Sequence, residues 1–251
     1  MFMLAPPTYT SVDNGRRLHD DVVLQILRQI SLGILRPGAS LPTEPILAQQ
    51  FGVSRTVIRE AMRVLVSKGL LTVKHGSGMR VQPPQNWAYL DPIILFEQVR
   101  AGRDVNILDE LIEVRRLLEP EAAGLAAERR TSEDIAALRD QLASMAAFLD
   151  QPDPYTRVDI EFHTRLLAAS QNRLLREALR PIAHALTAGR LLSIGQPGAA
   201  EQSLRGHEEI FAAVERQDGD AARAGMRRHV LQFEKDIHAA FSEGGMANID
   251  I

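Results

Sequence analysis

The stretch Gly38–Val81, GASLPTEPILAQQFGVSRTVIREAMRVLVSKGLLTVKHGSGMRV, decides how the first third of the chain folds. Thr43 can cap a helix that ends at Gly52, and Ser54 can cap a longer helix that ends at Gly69. The remainder, LLTVKHGSGMRV, has two short alternating runs around a glycine-rich tip, which is typical of a β-hairpin. The stretch therefore predicts two helices, a tight turn between them and a hairpin.

A further helix precedes this stretch, because apolar residues recur at helical spacing between His19 and Leu32. Helix, helix, turn, helix and hairpin is the order of a winged helix-turn-helix. In the last of these helices, Arg55, Arg59 and Arg63 recur every four residues on a face other than the apolar one. A helix fits the major groove of DNA, and exposed arginines can reach guanine edges or phosphates. Arginines that only solvate a surface helix are the alternative, but the complete order of elements favours DNA binding.

The composition is that of a globular protein with two domains. Of the 251 residues, 45% are hydrophobic, and the absence of cysteine excludes disulfides and thiolate metal sites. No apolar run approaches a membrane span, and the first residues lack the order of a signal peptide, so we expect a soluble cytoplasmic protein without a membrane partner. Through Pro83 the chain has ten Lys/Arg and five Asp/Glu, net +5, whereas the rest has 19 and 27, net −8. This asymmetry suggests two domains with different partners.

A proline-rich segment, QPPQNWAYLDP over residues 82–92, follows the predicted hairpin. Prolines make such a segment stiff and extended. Trp87 is the only tryptophan of the chain, and we expect it to dock the linker against one domain. A solvated, undocked linker is the alternative.

Beyond the linker, almost every pattern is helical, and turn residues separate the segments. The predicted helices span residues 92–101, 105–129, 132–149, 155–170, 172–193, 200–217 and 219–242. Without a sustained strand pattern, an antiparallel bundle is the natural architecture. The predicted fold class is therefore mainly α, with an N-terminal winged helix-turn-helix and a C-terminal antiparallel all-helical bundle.

Four polar residues fall on the inward faces of three bundle helices. Asp159 and His163 lie one turn apart, His207 lies near the start of a later helix, and His229 lies in the last helix. A buried charge or imidazole needs a partner, and one divalent ion would satisfy all four. Three imidazoles and a carboxylate suit Zn, Ni, Co, Mn or Fe, and their chemistry alone does not choose among these ions. For each histidine taken alone, a hydrogen-bonded core residue is the alternative.

The stretch Gly38–Val81 resembles the N-terminal domain of GntR-type bacterial transcription regulators, and the likeness extends over about residues 18–82. The resemblance implies contacts with double-stranded operator DNA. The residues that it implicates are Ser54, Arg55, Thr56, Arg59, His75 and Gly76. Many relatives have a DNA-contacting arginine after the LPTE segment, where this chain has Pro45. We therefore do not expect that contact in this protein.

The later segments EVRRLLEPEAAGLAAER, DIEFHTRLLAASQN and GHEEIFAAVERQDGDAARAGMRRHV look like the all-helical FCD effector domain of the FadR subfamily. In metal-bearing members the ligand pattern is Asp-x3-His, a His that opens a later helix, and a His on the last helix. Asp159, His163, His207 and His229 fill this pattern without a gap. The resemblance therefore implies a divalent metal at these four residues.

Two further features of the resemblance concern the effector. Arg115 is similar to an arginine that faces the pocket in relatives, and it could bind an effector carboxylate in a bidentate pair. A surface ion pair with Glu119, four residues on, is the alternative. The segment NWAYLDPIILFEQV resembles regulators of sugar-acid catabolism, such as galactonate repressors.

Together these features predict a ligand-responsive transcription regulator that acts as a homodimer. We expect a repressor of a carboxylate or sugar-acid catabolic operon, released by a small hydroxy or sugar acid at the metal site. A regulator whose effector is the metal ion itself is one alternative, and a metal-dependent enzyme fused to a DNA-binding module is another. No motif predicts a nucleophile with an orienting base, so we expect no enzymatic activity.

The predicted domains follow from these assignments. They are a flexible arm over residues 1–17, a winged helix-turn-helix domain over 18–83, a linker and first bundle helix over 84–104, a helical metal- and effector-binding domain over 105–242, and a tail over 243–251.

Overall fold

The structure, a computed structural model, describes residues 18–74, 78–103 and 105–242, and the chain divides into two compact units. The first unit extends through Asp104, and the second begins at Val105. The arm and the tail predicted at the two ends of the chain lie outside the described residues.

The first unit has the predicted order of a winged helix-turn-helix. Its elements are α1 (Leu18–Ser31), α2 (Glu44–Phe51), α3 (Arg55–Ser67), β1 (Leu71–Lys74), β2 (Gly78–Val81), a short 3-10 turn (Pro84–Asn86) and α4 (Pro92–Ala101). The apolar faces of α1, α2 and α3 enclose a core, to which the hairpin adds Leu71, Met79 and Val81. The two strands are antiparallel, with Leu71 opposite Val81.

Local signals set the helix ends of the first unit. The Oγ of Ser54 accepts a hydrogen bond from the backbone N–H of Val57 at 3.3 Å and so caps α3. Gly52 ends α2 with a φ of 67°, a left-handed conformation that glycine adopts without strain. Thr43 occupies the cap position of α2, but its hydroxyl makes no capping hydrogen bond.

The helix expected to open the bundle, α4, instead belongs to the first unit. Its Glu97 carboxylate is buried and accepts a hydrogen bond from Arg28 of α1 at 3.2 Å. The side-chain amide of Gln98 donates to the hydroxyl of Ser31 at 3.0 Å. The apolar side chain of Ile94 joins the core of the same unit. The sequence pattern correctly predicted a helix here. This helix packs against α1 of the first unit, whereas we expected it to be the first helix of the bundle.

The linker docks on the first unit, as Trp87 leads us to expect. The indole packs against the core of that unit, and its Nε1 donates to the carbonyl of Gln82 at 3.0 Å. The backbone then passes very close to Gly69, where an added Cβ would lie 1.9 Å from the carbonyl oxygen of Asn86. Glycine is therefore required here for the close approach as well as for its φ of 72°.

In the described residues of the second unit, all of the regular secondary structure is helical. Its helices are α5 (Val105–Arg129), α6 (Ser132–Ala147), α7 (Pro152–Ala169), α8 (Arg173–Ala185), α9 (Thr187–Ile194), α10 (Ala199–Glu215) and α11 (Gly219–Ser242). α11 packs along α5 and α10, and α7 lies against α5, α6 and α9. The shared core includes Tyr155, Phe162, Phe211 and Met226.

One predicted helix of the bundle is two helices in the structure. The segment 172–193 is interrupted at Leu186, which separates α8 from α9. The hydroxyl of Thr187 donates to the carbonyl of His184 at 2.8 Å. Such a bond competes with the helical backbone hydrogen bonds for a carbonyl oxygen, and it lies at the interruption.

Candidate metal centre and nucleic-acid interface

The exposed face of α3 carries four of the six residues implicated in DNA binding. Ser54, Arg55, Thr56 and Arg59 are all exposed at or near the N-terminal end of this helix. The Nε of Arg59 donates to a carboxylate oxygen of Glu44 at 2.8 Å, so this guanidinium is held in place. The two remaining residues, at the hairpin tip, lie outside the described residues.

Pro45, which stands where the family resemblance implies an arginine in many relatives, lies in the first turn of α2. Pro45 is exposed there and follows Glu44, the partner of Arg59. Proline offers neither a side-chain donor nor a backbone N–H, so it cannot replace an arginine contact. This surface therefore presents fewer cations to DNA than the family pattern would supply.

The four residues predicted to bind a metal come together in the second unit. Asp159 and His163 project from α7, His207 from α10 and His229 from α11, and all four are buried. One donor atom from each residue lies within 4.8 Å of the donor atoms of the other three. Residues separated by up to 70 positions in sequence thus form one compact polar group, here called the Asp/His3 cluster.

His207 lies at the centre of the Asp/His3 cluster. Its Nε2 is 3.3 Å from Oδ1 of Asp159 and 3.3 Å from Nε2 of His163. The ring of His229 is 4.2 Å from that of His207, centroid to centroid. The edge-to-face contact with Phe162, at 4.7 Å between centroids, fixes the His207 ring from the apolar side.

Helix spacing and one glycine explain how these side chains meet. Asp159 and His163 are one turn apart and therefore share a face of α7. Gly206 precedes His207 on α10, and a Cβ at this position would lie 2.9 Å from Nδ1 of His229. The absent side chain lets α11 bring its imidazole close to α10.

Burial makes the three imidazoles suitable metal ligands. It lowers the pKa of His163 and of His229 well below the ordinary value, and it lowers the pKa of His207, against the raising effect of Asp159. Neutral imidazoles have the free lone pair that a metal requires. Donors bound to one ion at about 2.1 Å lie no more than about 4.2 Å apart. Since the donors lie within 4.8 Å of one another, a small contraction would accommodate an ion.

A buried ion pair lies beside the Asp/His3 cluster. The Nε and Nη2 of Arg115 donate to the two carboxylate oxygens of Glu119, at 2.6 and 3.1 Å. Glu119 also lies 3.4 Å from Nδ1 of His163. The guanidinium of Arg115 stacks on the ring of Phe233 at 4.6 Å. The pair with Glu119 considered from the sequence therefore exists, but it is buried rather than on the surface.

A second buried arginine, Arg190 of α9, was not predicted from the sequence. One of its nitrogens, Nη1, pairs with Oδ2 of Asp159. Burial lowers the pKa of the Arg190 guanidinium, and the nearby Asp159 opposes that effect. The signal was present in the sequence: Leu186 and Ile194, four residues to either side, are both buried, which places Arg190 on an apolar face.

The Asp/His3 cluster opens onto a cavity of about 340 Å³ in the second unit. Asp159, His229 and Arg190 form part of its wall, together with Phe233. Hydrogen-bonding side chains complete the lining, among them Ser203, Gln202, Gln232 and Asp236. The cavity thus offers a cation, a candidate metal centre and several polar groups to one small molecule.

Comparison with known proteins assigns both units. The sequence-family model for bacterial regulatory proteins of the gntR family matches residues 18–81. The sequence-family model for the FCD domain matches residues 110–232. The galactonate operon transcriptional repressor of Escherichia coli K12 is 34% identical over 206 residues, which cover 81% of this chain and 89% of that protein. The chain belongs to the GntR family of bacterial transcription regulators.

Other members of the GntR family align over a similar extent. The regulator LutR of Bacillus subtilis is 30% identical over 219 residues, covering 85% of this chain and 98% of LutR. A solved structure of Lar, described as controlling the Listeria monocytogenes agr system, has a TM-score of 0.64 at 18% identity. It covers 90% of this chain and 99% of its own, and it shows the fold alone.

Membership of the GntR family confirms the predicted class and architecture. The chain is a DNA-binding transcription regulator with an FCD domain, and its relatives are regulators rather than enzymes. All four residues of the Asp/His3 cluster lie inside the matched FCD segment. Within the described residues, no helix is both long and apolar enough to cross a membrane.

Proposed function

We propose that this GntR-family regulator represses an operon for the catabolism of a carboxylate or sugar acid. The effector is a small hydroxy or sugar acid that binds at a divalent metal held by Asp159, His163, His207 and His229. When bound, the ion supplies a Lewis acid for the carboxylate. Zn suits these ligands best, and Ni, Mn, Co and Fe suit them as well.

The observation that carries this proposal is the opening of the Asp/His3 cluster onto a polar cavity. Four protein ligands leave one or two positions open on a five- or six-coordinate ion. The cavity of about 340 Å³ is of the size that holds a small molecule. Its Ser203, Gln232 and Asp236 side chains offer hydrogen bonds to hydroxyl groups, which favours a hydroxylated acid.

Two arginines near the cluster support an anionic effector. Arg115, the effector contact expected from the sequence, binds Glu119 with its Nε and Nη2, so only its buried Nη1, which has no hydrogen-bond partner among the described residues, is left for an effector. Arg190 lines the cavity itself. The relative that represses a galactonate operon adds independent support for a sugar acid.

On the DNA side, we propose that the regulator binds as a homodimer to the half-sites of a near-palindromic operator. Two-fold symmetry in a protein is mirrored by two-fold symmetry in its DNA site. Ser54, Arg55, Thr56 and Arg59 would contact the major groove, and His75 and Gly76 would contact DNA from the hairpin tip. The effector acts because it has different affinities for the DNA-bound and released states.

The experiment that tests this function begins with selection of an operator from a random duplex library. Fluorescence anisotropy of the selected duplex then measures release by D-galactonate, D-gluconate, L-lactate and glycolate, with Zn-loaded protein and with chelated protein. We expect a two-fold symmetric site and release by at least one acid only in the presence of metal. Operator affinity that follows metal alone and ignores every acid would replace this function with a metal-responsive one.

A further inference from the structure

Arg190 is a buried cation with unsatisfied donors at the wall of the cavity. Its side chain is only 3% exposed. Although Nη1 pairs with Asp159, neither Nε nor Nη2 has a hydrogen-bond partner among the described residues. Buried N–H donors without partners carry a large desolvation cost. A ligand in the cavity that accepted hydrogen bonds from both nitrogens would remove this cost.

The ion pair of Arg115 shows which group can accept hydrogen bonds from the Nε and Nη2 of a guanidinium. Its Nε and Nη2 each donate to one carboxylate oxygen of Glu119. The same two nitrogens are the unpartnered ones in Arg190. They form a planar fork whose spacing matches the two oxygens of a carboxylate. The Nε–Nη2 edge of Arg190, a residue that lines the cavity, therefore has the shape that binds a carboxylate.

The balance of buried charge links this edge to the candidate metal centre. Arg115 and Arg190 carry two positive charges, and Asp159 and Glu119 carry two negative ones, so these four buried residues are neutral together. A divalent ion at the Asp/His3 cluster adds two positive charges without an anion to balance them. Uncompensated charge in a buried site is costly. An anionic ligand beside Arg190 is therefore favoured when the site holds metal.

Asp159 contacts both Arg190 and the rest of the Asp/His3 cluster. Its Oδ2 pairs with Arg190, while its Oδ1 lies 3.3 Å from Nε2 of His207, within the Asp/His3 cluster. A carboxylate that ligates a cation gives less compensation to a neighbouring guanidinium. Arg190 then has more to gain from a second carboxylate.

We propose that Arg190 is the residue that binds the effector carboxylate, and that metal and acid strengthen each other's binding through the Asp159–Arg190 pair. This inference rests on the proposed function, whose metal–acid site it deepens. It assigns the bidentate contact to Arg190, because Arg115 already uses its fork for Glu119. By linkage, any gain in acid affinity on metal loading equals the gain in metal affinity on acid binding.

The test uses the full chain and two variants, Arg190→Gln and Arg190→Lys. Isothermal titration measures Zn2+ affinity without carboxylate in the buffer, and then the affinity of each Zn-loaded protein for acids of the operator-release panel, beginning with L-lactate. In Arg190→Gln we expect Zn2+ affinity to be equal or higher, because a competing cation is removed from Asp159. We expect acid affinity to fall roughly ten- to a hundredfold, as for the loss of a charged hydrogen-bonded pair. Arg190→Lys keeps the positive charge but loses the paired Nε and Nη2 donors. Its acid affinity should therefore lie between those of the wild type and of Arg190→Gln.

Arg216→Gln is the matched control, because Arg216 is an exposed arginine of the second unit that does not line the cavity. It should keep acid affinity within about threefold of the wild type, since surface charges are largely screened. Wild-type Zn2+ affinity should also rise at saturating acid, and this rise should disappear in Arg190→Gln. Arg190→Lys keeps the test valid where Arg190→Gln fails to fold.

The outcomes separate this inference from the proposed function. Unchanged acid affinity in Arg190→Gln or Arg190→Lys would overturn the role of Arg190 and leave the metal–acid site intact. A loss of both Zn2+ and acid affinity in Arg190→Gln would overturn it too, since Arg190 would then only support Asp159. Failure of Zn-loaded wild type to bind any acid of the panel would overturn the proposed function and this inference together.

Discussion

The position of His229 depends on a residue that has no side chain. Gly206 precedes His207 on α10, and an added Cβ would lie 2.9 Å from Nδ1 of His229. Real Cβ atoms essentially never approach a neighbour so closely. The imidazole is buried at the Asp/His3 cluster, so it has little room to move away.

Gly206→Ala should therefore weaken metal binding. We expect Zn2+ affinity to fall about tenfold or more, the size of the losses seen when the support of a metal ligand is disturbed. Isothermal titration of the full chain measures the change. Gly124→Ala is the matched control, because the nearest atoms to its Cβ all belong to the flexible side chain of Arg223. Equal Zn2+ affinity in the two variants would contradict the packing argument.

A second prediction at the residue scale compares a buried and an exposed ion pair on α5. Glu119→Gln should lower the free energy of unfolding of the metal-free protein by about 3–5 kcal/mol, because it leaves the buried guanidinium of Arg115 without its partner. Glu121→Gln should cost at most about 1 kcal/mol, because Glu121 pairs with Arg223 near the surface. Urea denaturation measures both, and similar losses would show that the burial of Arg115 is energetically unimportant.

Among the secondary-structure elements, α3 is the one that we expect to enter DNA. Arg55 is exposed at its N-terminal end, where residues of a recognition helix reach base edges or phosphates. Arg55→Ala should reduce affinity for the selected operator roughly tenfold or more, corresponding to about 1–3 kcal/mol for an arginine–base contact. Anisotropy measures the affinity, and the melting temperature should not change.

Arg36→Ala serves as the control for this prediction. Arg36 is also exposed in the first unit but lies in the loop after α1, outside the predicted contact set. An equal loss of operator affinity in both variants would indicate a general effect of charge rather than a contact made by α3.

The four proposed metal ligands come from three helices of the bundle. Because α7, α10 and α11 each supply at least one of them, a bound ion stabilises the packing of these helices. Chelation should lower the melting temperature and speed amide hydrogen exchange in these helices, with little change in α1, α2 or α3. His207→Ala should abolish the effect of chelation on the melting temperature. His238→Ala should retain it, because this exposed residue is not part of the Asp/His3 cluster.

The same elements show what the sequence could and could not predict. Apolar periodicity and capping residues located nearly every helix, since both act over a few neighbouring residues; Thr131 and Asp134, for example, form a reciprocal capping box at the start of α6. The packing of α4 on α1 was not predicted, because periodicity identifies the apolar face of a helix but not its partner. The break at Leu186 was missed because the apolar pattern of residues 172–193 continues across it without a turn signal.

In the candidate site, too, some residues could be predicted from the sequence and one could not. The four members of the Asp/His3 cluster could be predicted because each stands on an apolar face and because their pattern matches a family. Arg190 was missed although it stands between apolar residues at −4 and +4, because that position indicates burial of an arginine but not its partner. Its role depends on Asp159, 31 residues away along the chain, and only folding shows that contact.

At the scale of the whole molecule, two units of opposite net charge have different proposed roles, DNA binding and effector binding. The basic unit contains α3, the helix that we propose contacts DNA, and the acidic unit contains the Asp/His3 cluster and its cavity. Regulation requires that the second unit bind its effector with different affinity in the two DNA-binding states. The central claim is therefore that acid binding in the second unit depends on the metal ligands.

The most direct test of this claim is a thermal-shift screen of small carboxylic, hydroxy and sugar acids. It compares Zn-loaded wild type with His163→Ala, and includes His238→Ala as a control. A ligand that binds only the folded state raises the melting temperature. We predict at least one acid that raises it in Zn-loaded wild type and in His238→Ala, but not in His163→Ala or after chelation. An acid that shifts the melting temperature equally in all four samples would contradict the account, because the effector would then bind away from the metal site.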